Sequence, residues 1–293
     1  MSFSKSSFPL LVATLALPIL SHAQEQWRPL FNGTDFTGWE SYLAEPLAKS
    51  DVPGFERNAK GNYTKHIGLN SDPLQVFTIV LADGQPAIRI SGEGYGVLGT
   101  TESFSNYHLR LEFKWGEKNH AAAGRPRNGG LMYHAHGEYG EWSKRWKSAL
   151  QFQVCEATCG DFIVMGGATG TINVKPDGNP KSPQYDPTSA GQPALIDVTA
   201  PNKGRCTRSE NFEKPLGEWN TFEVFAAGDK AVHVVNGHVV ARMEKTARKL
   251  KDGSTEPLTG GQIQLQLELA EEFFRNIEIR AITAIPAEYA EGK

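Results

Sequence analysis

The sequence predicts an all-β protein built as a sandwich of two antiparallel sheets with long loop insertions. Three observations carry this expectation. Apolar and polar residues alternate with a period of two in several short segments. An Asn-Gly pair, Asn236-Gly237, sits between two Val-rich arms. No stretch shows the periodicity of a long amphipathic helix. The 30 glycines and 17 prolines suit a chain of many turns. Strands joined by such turns bury their apolar faces most simply against a second sheet.

Taken in chain order, the first segment is not part of that sandwich. Residues 1–23 carry one early cation, Lys5, an apolar run from Phe8 to Leu20, and the triplet Ser21-His22-Ala23. This pattern predicts a secretory signal cleaved after Ala23, so the protein is expected to be secreted or periplasmic, with no membrane contact after cleavage. The run is short for a membrane anchor, and no stop-transfer charge cluster follows it. Residues 24–293 then form a single domain.

The clearest strand is Asn106–Trp115. Tyr107, Leu109, Leu111, Phe113 and Trp115 share one face; His108, Arg110, Glu112 and Lys114 share the other. Ala149–Val154 sets Leu150, Phe152 and Val154 against Gln151 and Gln153. Gln262–Leu267 sets Ile263, Leu265 and Leu267 against three glutamines. Further strands are expected at Ala87–Ile90, Gly129–Tyr133, Phe162–Met165, Thr171–Val174, Thr221–Ala226 and Phe274–Arg280. Val232–Ala241 reads as a hairpin, because Asn-Gly accepts the two positive φ values of a type I′ turn. Ser41–Pro73, Lys175–Pro215 and Lys245–Gly260 read as loops. The second lacks strand patterning and is expected to wall or cover a binding cleft.

Charge excludes some partners. Loss of Lys5 with the signal leaves 29 basic residues against 33 acidic ones, a net charge of about −4, which favours neither nucleic acid nor an anionic membrane. The oligomeric state is not readable from these features. Cys155, Cys159 and Cys206 leave one disulfide plausible in an exported chain, with all three pairings open. A structural zinc site is disfavoured, because no fourth ligand stands at finger-like spacing.

Seven strings in order carry a family resemblance: Leu30-Phe31-Asn32-Gly33-Thr34-Asp35-Phe36-Thr37-Gly38-Trp39; Val97-Leu98-Gly99-Thr100 with Tyr107 to Phe113; Asn128-Gly129-Gly130; Gly160-Asp161-Phe162; Gly217-Glu218-Trp219-Asn220; Val235-Asn236-Gly237; and Leu265-Gln266 with Phe274-Arg275-Asn276-Ile277. Over about residues 27–282 the chain resembles the 3-keto-disaccharide hydrolase domain family. Phe36 replaces the usual Leu, and Gly129 replaces the usual Ser. The resemblance implies a concanavalin A-like jelly roll and a sugar substrate.

The candidate chemistry starts from Gln151-x-Gln153-x-x-Glu156. Glycosidases on this fold place carboxylates at the first two of these positions, and an amide cannot be a carboxylate nucleophile or general acid. A 3-keto sugar needs no carboxylate pair. The ketone acidifies the hydrogen on C2, a base removes it, the group on C1 departs, and water adds. Glu156 is the first candidate base, provided a bulge turns it onto the Gln151/Gln153 face. Asp161 could orient a partner or cap a turn, and Lys147 could stabilise the enolate. His134 and His136 alternate on one strand and, with Glu156, are candidate ligands for a divalent metal. Gln151, Gln153, Gln266, Asn128 and Glu268 are candidate sugar contacts, and Trp142 and Trp146 could stack on a ring. Two other functions remain open: a non-catalytic carbohydrate-binding module, and an ordinary glycosidase using Glu138 or Glu268.

Overall fold

The computed structural model describes residues 26–291, so the signal expected at 1–23 lies outside it. In chain order the strands are β1 (Arg28–Pro29), β2 (Trp39–Leu43), β3 (Gly68–Leu69), β4 (Phe77–Ala82), β5 (Gln85–Ile90), β6 (Tyr95–Thr100) and β7 (Phe104–Ser105). They continue with β8 (Tyr107–Asn119), β9 (Asn128–His136), β10 (Ser148–Cys155), β11 (Phe162–Met165), β12 (Ala168–Val174), β13 (Gln192–Ile196) and β14 (Arg205–Cys206). The last are β15 (Asn220–Ala227), β16 (Lys230–Val235), β17 (His238–Lys249), β18 (Thr255–Pro257), β19 (Gly260–Glu268) and β20 (Ala270–Ala281), followed by the one-turn helix α1 (Ala287–Ala290).

These strands form two antiparallel sheets. The larger runs β13-β12-β17-β16-β15-β8-β20-β5-β4, with β1 added on β20 and β18 on β17. The smaller runs β14-β11-β10-β9-β19-β6-β2-β3, with β7 added on β19. Alternation decides which face meets the other sheet. On β8, Tyr107, Leu109, Leu111, Phe113 and Trp115 are buried in the core. The opposite face of β8 carries His108, Arg110, Glu112 and Lys114, which bind Glu223, Glu278, Arg275 and Asp83 on neighbouring elements. Phe152 of the smaller sheet meets Phe222 of the larger at 4.8 Å between ring centroids, and Phe113 and Phe274 complete that aromatic layer. The expected hairpin is β16–β17, with Asn236 at φ 50° and Gly237 at φ 81°.

The expectations for the loops and the cysteines change. Ser41–Pro73 holds β3, and Lys245–Gly260 holds the end of β17 and all of β18. Lys175–Pro215 is not strand-free: β13 pairs with β12 in the larger sheet, and β14 pairs with β11 in the smaller. Both are edge strands with little buried surface on one side, so they lack strong alternation. All three cysteines are free, and none of the three pairings forms. Cys159 and Cys206 are buried, each thiol directed to a backbone carbonyl.

Candidate active site

The outer face of the smaller sheet, turned away from the core, carries a row of amides. Gln151 and Gln153 stand there on β10, Asn128 on β9, and Gln264 and Gln266 on β19; register places Gly130 opposite both Gln153 and Gln266. Gln151 Nε2 donates to Gln153 Oε1 at 2.7 Å and to Gln266 Oε1 at 2.9 Å. Gln153 Nε2 then donates to Asn128 Oδ1 at 2.7 Å. Because its oxygen is thus taken, Asn128, bridged to Leu269 beside Glu268, has its NH2 group left for the Glu268 carboxyl, whose pKa it lowers. Gln151, Gln153 and Gln266 are 4, 6 and 1 % exposed, so they form a floor that orients Asn128 rather than an open row of sugar contacts.

Consecutive glycines make this arrangement fit. A Cβ at Gly130 would stand 2.3 Å from Gln151 Nε2 and 2.5 Å from Gln266 Oε1. Gly129 points the other way, into the core. A Cβ there would lie 1.8 Å from Glu272 Oε1. Glu272 comes from β20, is fully buried, and has no hydrogen-bond partner for either oxygen. Burial, reinforced by Glu268, raises its carboxyl well above the ordinary range, so it is a neutral acid between the sheets.

Glu268 ends β19 and is half-buried. Burial pushes its carboxyl up to about 7, opposed by the Asn128 hydrogen bond and by the guanidinium groups of Arg145 and Arg205. Tyr95 is its cross-strand neighbour on β6. Arg145 lies over that tyrosine, with Cζ 3.4 Å from the ring centroid. Arg205 belongs to the edge strand β14, so the two guanidinium groups come from opposite sides of the amide floor.

The other expected residues do not join this group. Glu156 lies past the end of β10, where its carboxylate accepts from the Arg127 backbone N–H and guanidinium. Arg127 is tied in turn to carbonyls of Gly116 and Glu117 on β8, so Glu156 closes the end of the sandwich. No bulge turns it onto the amide face. The bulge in β9 falls instead at His134, whose φ is 51° and where register shifts against both neighbours. Asp161 accepts from the Arg208 backbone and guanidinium at 3.0 and 2.9 Å and holds the turn before β11.

The expected metal set does not assemble. His134 is buried beside the Tyr107 and Tyr133 rings, and burial lowers its pKa to about 4. His136 binds the His134 carbonyl through Nδ1, and no group of three or more metal-binding side chains occurs among the described residues. His136 and Lys147 line a separate open groove of about 450 Å³ with Gln262, toward the other end of β19 from Glu268. Lys147 Nζ sits 4.2 Å from the Tyr139 ring, and burial lowers its pKa. Trp146 is buried on Val97 and Met132, donating Nε1–H to Gly96 at 3.2 Å, and Trp142 closes the same tight turn. The two tryptophans therefore fasten the 137–147 loop across the sheet. Glu138 is exposed within that loop. Arg145 and Arg205 escaped the sequence reading, although Arg205 lies in the loop expected to wall a cleft.

The two-sheet jelly roll carries an amide-floored outer face, and the family match that follows supports a carbohydrate-active function. The chain belongs to the 3-keto-disaccharide hydrolase domain family: residues 26–280 match its 3-keto-alpha-glucoside-1,2-lyase-like domain. Solved structures resemble the chain at low identity. A candidate glycosyl hydrolase from Parabacteroides distasonis ATCC 8503 is 19 % identical, with 88 % of this chain and 100 % of that one covered and a TM-score of 0.45. A Bacillus subtilis protein of galectin-like fold is 12 % identical, with 87 % and 94 % covered and a TM-score of 0.43. The carbohydrate-binding module CBM66 from Bacillus subtilis is 12 % identical, with 70 % and 92 % covered and a TM-score of 0.39. Among curated proteins, none matches the chain.

Proposed function

We propose that the protein cleaves 3-keto-glycosides by elimination followed by hydration, with Glu268 as the base. The observation that carries this reading is a single half-buried carboxyl, pushed up to about 7, at the end of an amide chain that fixes its hydrogen-bond donor. A base with a pKa near neutrality combines an available carboxylate with useful proton affinity.

In the first step Glu268 takes the proton from C2, and the electron pair moves onto the C3 ketone oxygen as an enolate. The Arg145 guanidinium, held on Tyr95, supplies a fixed positive charge for that oxygen. In the second step the enolate reforms the ketone, a C1–C2 double bond forms, and the C1–O bond breaks. The departing oxygen takes the proton back from Glu268. Water then adds across the double bond, its oxygen to C1 and a proton to C2. The sum is one glycoside and one water giving a free 3-keto sugar and an alcohol.

A two-carboxylate glycosidase is less well supported. The carboxyl beside Glu268 is Glu272, sealed at 0 % exposure and unable to touch a substrate, while Asp161 is held by Arg208. The leader-like residues 1–23 support the further proposal that the enzyme works outside the cytoplasm.

The test is incubation with 3-keto-trehalose and a 4-nitrophenyl 3-keto-glucoside, following aglycone release and the ultraviolet absorbance of the conjugated enone. Glu268→Gln should lower kcat by about 10²-fold or more, while Glu156→Gln should leave it nearly unchanged. Sugar binding without turnover in either form would mean a binding module instead.

A further inference from the structure

The groove at the start of β19, of about 450 Å³, is lined by Phe104, His136, Lys147, Arg248 and Gln262. Its volume lies in the range that holds a small ligand. Three of its polar groups have bonding capacity left over. Gln262 Nε2 donates to Glu40 Oε1 at 3.0 Å, and the same oxygen accepts from the Tyr139 hydroxyl at 2.7 Å. Glu40 thereby fixes the amide, and Oε1 is the end left over. That oxygen has no hydrogen-bond partner, although Gln262 is only 9 % exposed. An amide oxygen shut from water without a donor is costly. Gln264, the next amide on that face, also lacks a donor for Oε1, but it is fully buried against Tyr139 and does not line the groove.

Lys147 Nζ lies 4.2 Å from the Tyr139 ring and, among the described residues, has no hydrogen-bond acceptor or ion-pair partner. Its donors remain available to a ligand. His136 Nδ1 meets the His134 carbonyl at 3.0 Å. A carbonyl only accepts, so Nδ1 carries the hydrogen; burial keeps the ring neutral, and Nε2 carries the lone pair. The groove therefore offers one cationic donor and two neutral acceptors. Its charges disfavour an anion. Arg248 is taken by Glu256, Glu40 stands on the hydroxyl of the tyrosine that Lys147 covers, and Glu138 and Glu141 lie in the adjoining loop. Neutral hydroxyls suit such a set, because each one both donates and accepts.

We propose that this groove is a second saccharide site, which binds a neutral pyranose through Gln262 Oε1, His136 Nε2 and Lys147 Nζ. Gln262 and Glu268 share one face of β19 and stand about 20 Å apart along the strand. That span is longer than a disaccharide, so the ring in the groove belongs to a separate sugar. The assignment does not depend on Glu268 acting as a base.

The experiment titrates glucose, trehalose, maltose and cellobiose, all without a 3-keto group, calorimetrically into the full protein. At least one should bind. Lys147→Met and Gln262→Met should each weaken that binding about tenfold or more, as loss of a hydrogen bond to the sugar requires. Lys147→Arg should restore part of it, and Glu268→Gln should leave it unchanged. Turnover of the 4-nitrophenyl 3-keto-glucoside should stay nearly unchanged in Lys147→Met and Gln262→Met. Lys147 is half-buried and Met keeps most of its stem, so that variant should fold; thermal melting checks both.

Sugar binding that survives both substitutions, or that is lost in Glu268→Gln, places the sugar elsewhere and overturns the proposal. Failure of all four sugars to bind leaves the groove to water and also overturns it, as does displacement of the bound sugar by sulfate. Binding that depends on Lys147, without turnover of any keto sugar, retains the second site and removes the enzymatic reading. Turnover without such binding does the reverse.

Discussion

Glu268 holds its place through competing effects of separate origin. Burial favours the protonated carboxyl, while the Asn128 amide and two guanidinium groups favour the carboxylate. Only the carboxylate can act as a base, so kcat/KM for 3-keto-glycosides should rise with pH through a midpoint near 7. Asn128→Ala removes the hydrogen bond that opposes burial, so the midpoint should move to higher pH; a pH–rate profile measures it. The amide chain extends this logic one residue outward. Gln153 touches no reacting atom, yet it determines which end of the Asn128 amide faces Glu268. It is a positioning residue.

At the scale of the element, β9 shows how one strand serves two faces. Its successive residues point to opposite sides, so Gly129 makes room for Glu272 in the core and Gly130 makes room for the amide bridge outside. Neither glycine is needed for a positive φ; each is needed because the neighbouring side chain fills the space of a Cβ. Gly130→Ala should force Gln151 and Gln266 apart. Such overpacking costs about 1–3 kcal/mol, readable by chemical denaturation, and kcat should fall as Asn128 loses its orientation. Four residues further on, the same strand bulges at His134 and turns that ring into the interior.

The sandwich as a whole creates one liability. Glu272 stands on the larger sheet and Gly129 on the smaller, so only closure of the two sheets seals the carboxyl from water. Its pKa in the folded protein lies well above the ordinary 4.5. Below that ordinary value both folded and unfolded chains hold the proton, and nothing is lost. As pH rises above it, the unfolded chain ionises while the folded one does not, so this site costs about 1.4 kcal/mol of stability per pH unit until the folded pKa is reached. Glu272→Met, of similar length and without a charge to bury, should flatten that dependence. Denaturation at pH 5 and pH 8 should show a larger gain for the variant at pH 8.

Local alternation determined much of the protein. Leu150, Phe152 and Val154, or Ile263, Leu265 and Leu267, declare a buried strand face within six residues, and Asn236-Gly237 declares its own turn. The seven ordered strings were sufficient to indicate the family. The amide row was also legible, because Gln151, Gln153 and Gln266 recur on one face. The tertiary structure decided what those amides do, and it moved the proposed base from Glu156 to Glu268. Glu156 meets Arg127 across 29 residues, and the arginines beside Glu268 arrive from a loop and an edge strand. Strand period depends on neighbours in sequence, whereas a carboxyl's pKa depends on which charges and how much water surround it after the sheets have closed.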